Sequence, residues 1–511
     1  MKNKRIFRDL NPTMTFLVLT VITIIMSGIL SLFNFHTNYN IVNPITNSYN
    51  SELVEVHNLF SLSGLKEIVT SAVSDFVSFA PLSMLIIVLI GVGIMEKTGF
   101  LKVFFTSLTK NIKRYTLTFF VIFISMASTL VGDIGYVIML PLAAILFKYG
   151  KRNPWGGIIA SFAAISFGYG INIFLSSSDS SLLALTTIGA NIIDGNYTIN
   201  YWFSLFIMIV TFIVLSFTLT QITERVVIPK LPKYESTEEE FVITKREVKA
   251  MIIAFACGLV YLLIIGYNII PNLPLSGGLL DHSTNVYIDQ LFGENSLFNK
   301  GFVFIITLLF IIVGLVYGIV AKKFRNINDV ADSLGYSLDG IGSVLVLLFV
   351  ASIFISVVKS TNIGIILTGL FANLFTNTNL TGIPLILVLF LGTMICNLIY
   401  TGPALKWAVL SPVVIPVFMN ASLSPEFAQV TYSLAMSTTN GITPLMAYFV
   451  IYIAFLNKYR QSEDISIKKA IRYLTPYFFI TTVVCLVIIV GWYLTGLPIG
   501  IGTWPGVNYV A

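Results

Sequence analysis

The sequence predicts an all-α polytopic membrane protein: about nine transmembrane helices plus two re-entrant hairpins, arranged as an inverted-topology repeat. Three observations lead there. The first is composition. Of 511 residues, 56% are hydrophobic and 11% charged, with a mean hydropathy of +0.88; a soluble chain carries about a quarter charged residues. The second is that two apolar stretches are broken. One break is Gly168-Tyr169-Gly170 followed by Ser176 to Ser181, and the other is Ser437 to Gly441, closed by Thr443-Pro444. Irregular backbone survives at membrane depth only inside protein or along a cavity. The third is that the broken stretches, and the apolar arms before them, match one another. Tyr136 to Phe147 and Trp407 to Phe418 place aromatic, proline and phenylalanine at identical intervals, so Pro141 pairs with Pro412. In the same register Pro154 meets Pro425, Ala164 meets Ala435, Ser166 meets Ser437 and Gly170 meets Gly441.

The elements follow in order from the apolar runs and from the excess of Lys and Arg in inside loops. Lys2, Lys4, Arg5 and Arg8 precede an apolar run from Met14 to Phe33, a retained first span with a cytoplasmic N-terminus. His36 to Leu59 has no Lys or Arg and is an outside loop. Phe60 to Val77 is an amphipathic surface helix, and Pro81 to Met95 spans inward to Glu96-Lys97. The first half, residues 1–223, then holds a hairpin entering from inside (116–150) and a broken helix (156–193). Tyr201 to Leu219 returns to a charged cytoplasmic linker, 224–249. In the second half, 250–511, Met251 to Ile270 crosses outward, Phe302 to Ala321 inward and Ile341 to Val358 outward. Asn326 to Tyr336 and Ile363 to Leu374 are interfacial. A hairpin (384–419) enters from outside, a broken helix (426–456) crosses inward, and Tyr477 to Leu494 leaves the C-terminus outside. The orientation comes from Lys and Arg alone, so the opposite faces of the two hairpins support the inverted repeat independently.

Several chemistries are excluded. Cys257, Cys396 and Cys485 lie in apolar segments without disulfide or zinc spacing, and His36, His57 and His282 are scattered in polar loops. The net charge of +6 reflects loop lysines and arginines, so it speaks to topology and not to nucleic acid. No P-loop occurs, no organic cofactor is expected, and any energy source is an ion gradient of Na+ or H+. The candidates for chemistry are the charges inside the membrane, each costing roughly 2.5 to 3.5 kcal/mol. Asp133 is at the first hairpin's tip, Asp179 in the first broken helix, and Lys406 at the second hairpin's tip beside Trp407. Asp179, Ser177 and Ser178, with Thr438 and Thr439 from the second copy and Asp133, form an oxygen-rich set suited to a sodium ion. Trp407 could stack on a flat substrate while Lys406 pairs with its carboxylate. The plainer readings are that charges at tips are solvated and that Trp407 only packs. Asp133 and Asp179 as an intramembrane protease pair would leave the second copy without a use. A channel is a further rival, since re-entrant loops also build filters. The chain is therefore read as a carrier and not an enzyme.

At these residues the sequence resembles the AbgT family of p-aminobenzoyl-glutamate transporters. The resemblance is carried by Leu89 to Gly99 (LIGVGIMEKTG), Asp133 to Phe147 (DIGYVIMLPLAAILF), Ser176 to Thr187 (SSSDSSLLALTT), Ala404 to Met419 (ALKWAVLSPVVIPVFM) and Thr438 to Phe449 (TTNGITPLMAYF). It implies a homodimer in the plasma or inner membrane. It also implies import of p-aminobenzoyl-glutamate, or export of sulfonamide-type antimetabolites, on a sodium or proton gradient. The family's functional aspartate, tryptophan and proline fall on Asp179, Trp407 and Pro425. Ser433 stands where the family has an arginine, and Met436 where it has an aspartate. The substrate-binding set implied is Trp407, Lys406, Asp179, Pro425, Asn440 and Ser433. Loss of the Arg–Asp pair keeps the charge balance but removes a carboxylate clamp, which leaves a sodium-coupled symporter of a different small carboxylate as the nearest alternative.

Overall fold

The computed structural model describes residues 10–506 apart from 44–47, 174–175, 237–240, 294, 377 and 461–464. The chain opens with α1 (Pro12–Leu32), an antiparallel ribbon of β1 (His36–Asn43) and β2 (Ser48–Glu55), then α2 (Leu62–Val77), α3 (Ala80–Lys97) and α4 (Phe100–Asn111). The first copy of the repeat is α5 (Arg114–Ala127), α6 (Ile134–Tyr149), α7 (Pro154–Phe167) and α8 (Ser177–Ala190). Next come α9 (Leu205–Ile222), α10 (Lys245–Asn268), α11 (Tyr287–Phe292), α12 (Leu297–Val320), α13 (Ile327–Gly335), α14 (Gly342–Ser360) and α15 (Ile363–Thr376). The second copy is α16 (Gly382–Ile399), α17 (Pro403–Asn420), α18 (Pro425–Asn440) and α19 (Phe449–Lys458), and α20 (Ile467–Thr495) ends the bundle.

Ten helical stretches among the described residues are long and apolar enough to cross a membrane. Three of them, α5 with its following turn, α16 and α17, are the arms that the sequence reading places in hairpins. The fold is thus an all-α polytopic membrane fold, with the one small β-ribbon as its exception.

The two copies interlock. Pro154 and Pro425 each open a helix behind a polar cap, Asn153 on Trp155 N–H and Ser424 on Phe427 N–H. Proline suits the first helical turn because its missing N–H would be unpaired there anyway. Pro141 and Pro412 each sit inside a hairpin arm. The far half-helix of each copy then packs on the other copy's arm, α8 on α17 and α19 on α6. The register mates Tyr136 and Trp407 make these contacts. Tyr136 stacks on Tyr448, just before α19, with centroids 5.1 Å apart, and Trp407 Nε1 donates to Thr186 Oγ1 of α8 at 2.8 Å. The mates Gly170 and Gly441 make the crossing of α7 and α18: a Cβ on Gly170 would lie 2.6 Å from the Ser433 carbonyl oxygen, and one on Gly441 2.6 Å from the Phe167 ring.

The loop after α1 holds the ribbon, and β1 lies against α15 and α17, with Asn373 Nδ2 donating to Asn38 O at 2.8 Å. Three expectations are corrected. The serine run is not unwound. Ser176 caps α8 and Ser177 to Ser181 are helical, because Ser176 and Asp179 form a reciprocal capping box. Ser437 to Asn440 are also helical, so the second break begins at Gly441 and runs to Tyr448. The linker does not begin at 224: the helix runs on through a π-type turn, Thr223–Val227, and Glu224 is bound to Arg152.

Candidate functional site

The largest opening onto the breaks is a cavity of about 380 Å³. One wall is built from the repeat: Asp133 at the start of α6, Tyr169 in the first break, Tyr400 to Pro403 between α16 and α17, Asn440 at the end of α18, and Tyr448. The other wall is α14 and α15, with Ile355, Lys359 and Gly364. The breaks put these groups there for a local reason. Gly168 ends α7 and Gly441 ends α18, so the following residues leave the helical path and can line space. Tyr169 and Asp133 line the same space, and the Tyr448 hydroxyl reaches Met84 Sδ of α3 at 3.3 Å. Three phenol rings, one carboxylate, two amides (Asn362 and Asn440) and an exposed ammonium at the rim can hold a small planar molecule and hydrogen-bond its polar ends.

Asp179 lies elsewhere. Its Oδ2 accepts from Ser176 N–H (3.0 Å), Ser176 Oγ (2.7 Å) and Asn172 Nδ2 (2.9 Å). Asn172 Oδ1 in turn accepts from Thr129 Oγ1 at 2.7 Å, which ties the first hairpin's tip to the break. Three donors converge on Oδ2, which fixes the orientation of the carboxylate. Asp179, Asn172, Gln429 and Ser433 share a narrow cleft of about 20 Å³, room for about one water.

Lys406 and Trp407 have no exposed surface. Trp407 lies against Tyr432 with centroids 4.5 Å apart, and Thr186 passes its hydrogen bond on to Gln429 Oε1 at 2.7 Å. Lys406 Nζ donates to Asn397 Oδ1. The Asn397 amide nitrogen, with two hydrogens to donate, has three acceptors within reach: Met436 O (3.0 Å), Thr439 Oγ1 (2.9 Å) and Asn440 Oδ1 (2.8 Å). Asn397 thus joins α16, α17 and α18.

The structure therefore brings Asp133 and Asn440 together at the large cavity, and Asp179 and Ser433 at the narrow cleft. Pro425 is the first residue of α18, and Thr438 Oγ1 is bonded to Ala435 O at 2.7 Å. Ser178 Oγ is 2.9 Å from Ser176 Oγ. The side chain of Ser177 lies outside the described residues. Of the expected sodium set, Ser177 to Asp179 form the first turn of α8, while Thr438 and Thr439 lie in the last turn of α18. Sequence reading missed Asn397 and Tyr448; an amide inside an apolar run was the available signal for Asn397. It also missed the pair at the basic end of the first copy. Arg152 donates to Thr118 Oγ1 at 2.8 Å and binds Glu224. Burial pulls this guanidinium below its ordinary value, and the Glu224 carboxylate pushes it back up.

The AbgT putative transporter family matches residues 9–506 of this chain. The p-aminobenzoyl-glutamate transport protein of Escherichia coli (strain K12) is 26% identical over 496 residues, covering 97% of this chain and 94% of that protein. Two solved structures are each 28% identical with a TM-score of 0.48. The YdaH transporter of Alcanivorax borkumensis matches over 96% of this chain and 99% of its own. MtrF of Neisseria gonorrhoeae, from a class of antimetabolite efflux pumps, matches over 98% and 97%.

Proposed function

Because this chain belongs to the AbgT putative transporter family, we propose that it is a secondary active transporter of p-aminobenzoyl-glutamate or a related aromatic carboxylate, driven by a sodium or proton gradient. One observation carries the reading. The cavity has the breaks of both copies on one side and α14 and α15 on the other, so movement of the repeat against α14 and α15 would carry a bound molecule between faces. In this reading the ring of the substrate lies among Tyr169, Tyr400 and Tyr448, with Asp133 and Asn440 taking hydrogen-bond donors. The hairpins are re-entrant, the protein works as a homodimer in the plasma or inner membrane, and its N-terminus is cytoplasmic. The basic loops support that orientation. Efflux of antimetabolites is the second direction of the same carrier, favoured by Ser433 and Met436, which leave no Arg–Asp clamp for a dicarboxylate.

The test is uptake of labelled p-aminobenzoyl-glutamate into proteoliposomes under an imposed sodium or proton gradient, with Asp133→Asn and Asp179→Ala beside the wild type. Gradient-dependent uptake that falls at least tenfold in Asp133→Asn is expected. No uptake by folded, oriented protein would remove this substrate and direct the search to sulfonamides and other small carboxylates. Conduction without coupling would mean a channel.

A further inference from the structure

We propose that Lys406 is the proton-carrying site of the transport cycle, and that Asn397 passes its charge state to α18 and the cavity. The proposal rests on the carrier reading above and chooses between its two ions.

The geometry around Lys406 is that of a buried amine with no counter-charge. An ammonium offers three donors, and the hydrogen bond it makes is to Asn397 Oδ1. The Tyr432 ring lies near it, 5.9 Å from Nζ to the centroid. Among the described residues no carboxylate lies within 4.0 Å of it. The titratable groups on the elements around it are few. Cys396 faces it from α16, Tyr432 from α18, and Tyr400 lies between α16 and α17. The remaining one on α18 is Glu426, in its first turn. On α8 there is Asp179 alone, seven residues before Thr186. β1 contributes His36 and Tyr39, and α15 none. A permanent ammonium there would stay desolvated with one acceptor, which low-dielectric surroundings penalise heavily. A group that sheds its proton during the cycle escapes that penalty for part of it.

Asn397 makes the charge state legible elsewhere. While Lys406 donates to Oδ1, the amide nitrogen must face α18, where it holds Met436 O, Thr439 and Asn440. Asn440 lines the cavity. When Nζ transfers one proton to water, it gains a lone pair and keeps two N–H donors that no longer carry charge, so its bond to Oδ1 weakens. Asn397 Oδ1 then has no charged donor to fix it, and its grip on the end of α18 loosens. A substrate contact at Asn440 and a proton at Lys406 therefore act on one side chain, which is what coupling requires.

Two arms test this. The first needs no substrate: the Tm of purified wild type and Lys406→Met is measured from pH 6 to pH 9. A difference between the two that changes by several degrees across that range is expected, because other titrating groups cancel. A flat difference overturns the proposal. Asn397→Asp, which gives the ammonium a fixed partner, serves if Lys406→Met does not fold; its Tm difference from wild type should likewise vary with pH. The second arm uses labelled p-aminobenzoyl-glutamate in proteoliposomes. A proton gradient should drive wild-type uptake, while Lys406→Met loses gradient-driven uptake at least tenfold yet keeps exchange of internal for external label. Proton-driven uptake that survives in Lys406→Met, or wild-type uptake that responds to sodium alone, overturns it. No flux by the wild type counts against p-aminobenzoyl-glutamate as substrate, and the Tm arm alone then decides the proton site.

Discussion

Helices α10 and α18 invert the usual relation between hydrophobicity and burial. The α10 span has a mean hydropathy of 2.5, yet 17% of that window is buried, the four buried residues of α10 being Glu247, Ala250, Ala254 and Gly258. All 16 residues of α18 are buried, although half of them are polar: Glu426, Gln429, Thr431, Ser433, Ser437, Thr438, Thr439 and Asn440. Arm α17 sits with α18, at a mean hydropathy of 1.3 and 67% buried. In a bilayer apolar surface can face lipid without cost, so the hydrophobic effect does not sort helices inward. Polar groups do, since each must find a partner inside the protein. The polar α18 therefore lies inside the packed repeat, while the apolar α10 keeps most of its surface outside the protein core.

The sharpest way to break this contrast is at its hub. Asn397→Leu removes the amide's hydrogen bonds to α18 and leaves Lys406 without its acceptor. We expect a loss of about 3–5 kcal/mol, the range for stranding one member of a buried charged interaction, seen as a lower Tm or as failure to purify folded protein. Gly170→Ala and Gly441→Ala each place a methyl 2.6 Å from the facing copy. Overpacking of this kind costs about 1–3 kcal/mol, and similar losses at the two sites would support their equivalence in the repeat. Ser176→Ala removes the cap of α8 and one donor to Asp179, for about 1 kcal/mol, with reduced transport exceeding the loss of stability. Leu263→Ala, on the exposed face of α10, should change stability by no more than about 0.5 kcal/mol. A large effect there would mean that this face packs against protein, and the contrast would then describe an assembly contact instead of lipid.

The fold was legible to the extent that it depended on single-chain pattern. The prolines and glycines that fixed the register, Pro141 with Pro412 and Gly170 with Gly441, do so because each is a backbone constraint that few other residues satisfy. Boundaries were less legible where hydroxyl residues were concerned. Ser176 to Ser181 read as an unwound, cation-binding stretch, but serine and aspartate in that order also form a helix cap, and only the folded chain shows which. Asp133 was legible as a charge at a tip; that Tyr169, Tyr400 and Tyr448 surround the same space was not, because they come from three separate joints. Lys406 read as an anchor beside Trp407, and both proved to point into protein.

By itself the sequence determined the membrane class, the positions of the breaks to within a turn, and the pairing of the two halves. These follow from local backbone chemistry and from the sign of the loops. Only the tertiary structure decided which polar atoms meet: Lys406 with Asn397, Trp407 with Thr186, Asp179 with Asn172. Such partners lie up to 221 residues apart, and a buried hydrogen bond depends on distance and direction, which no spacing along one chain encodes.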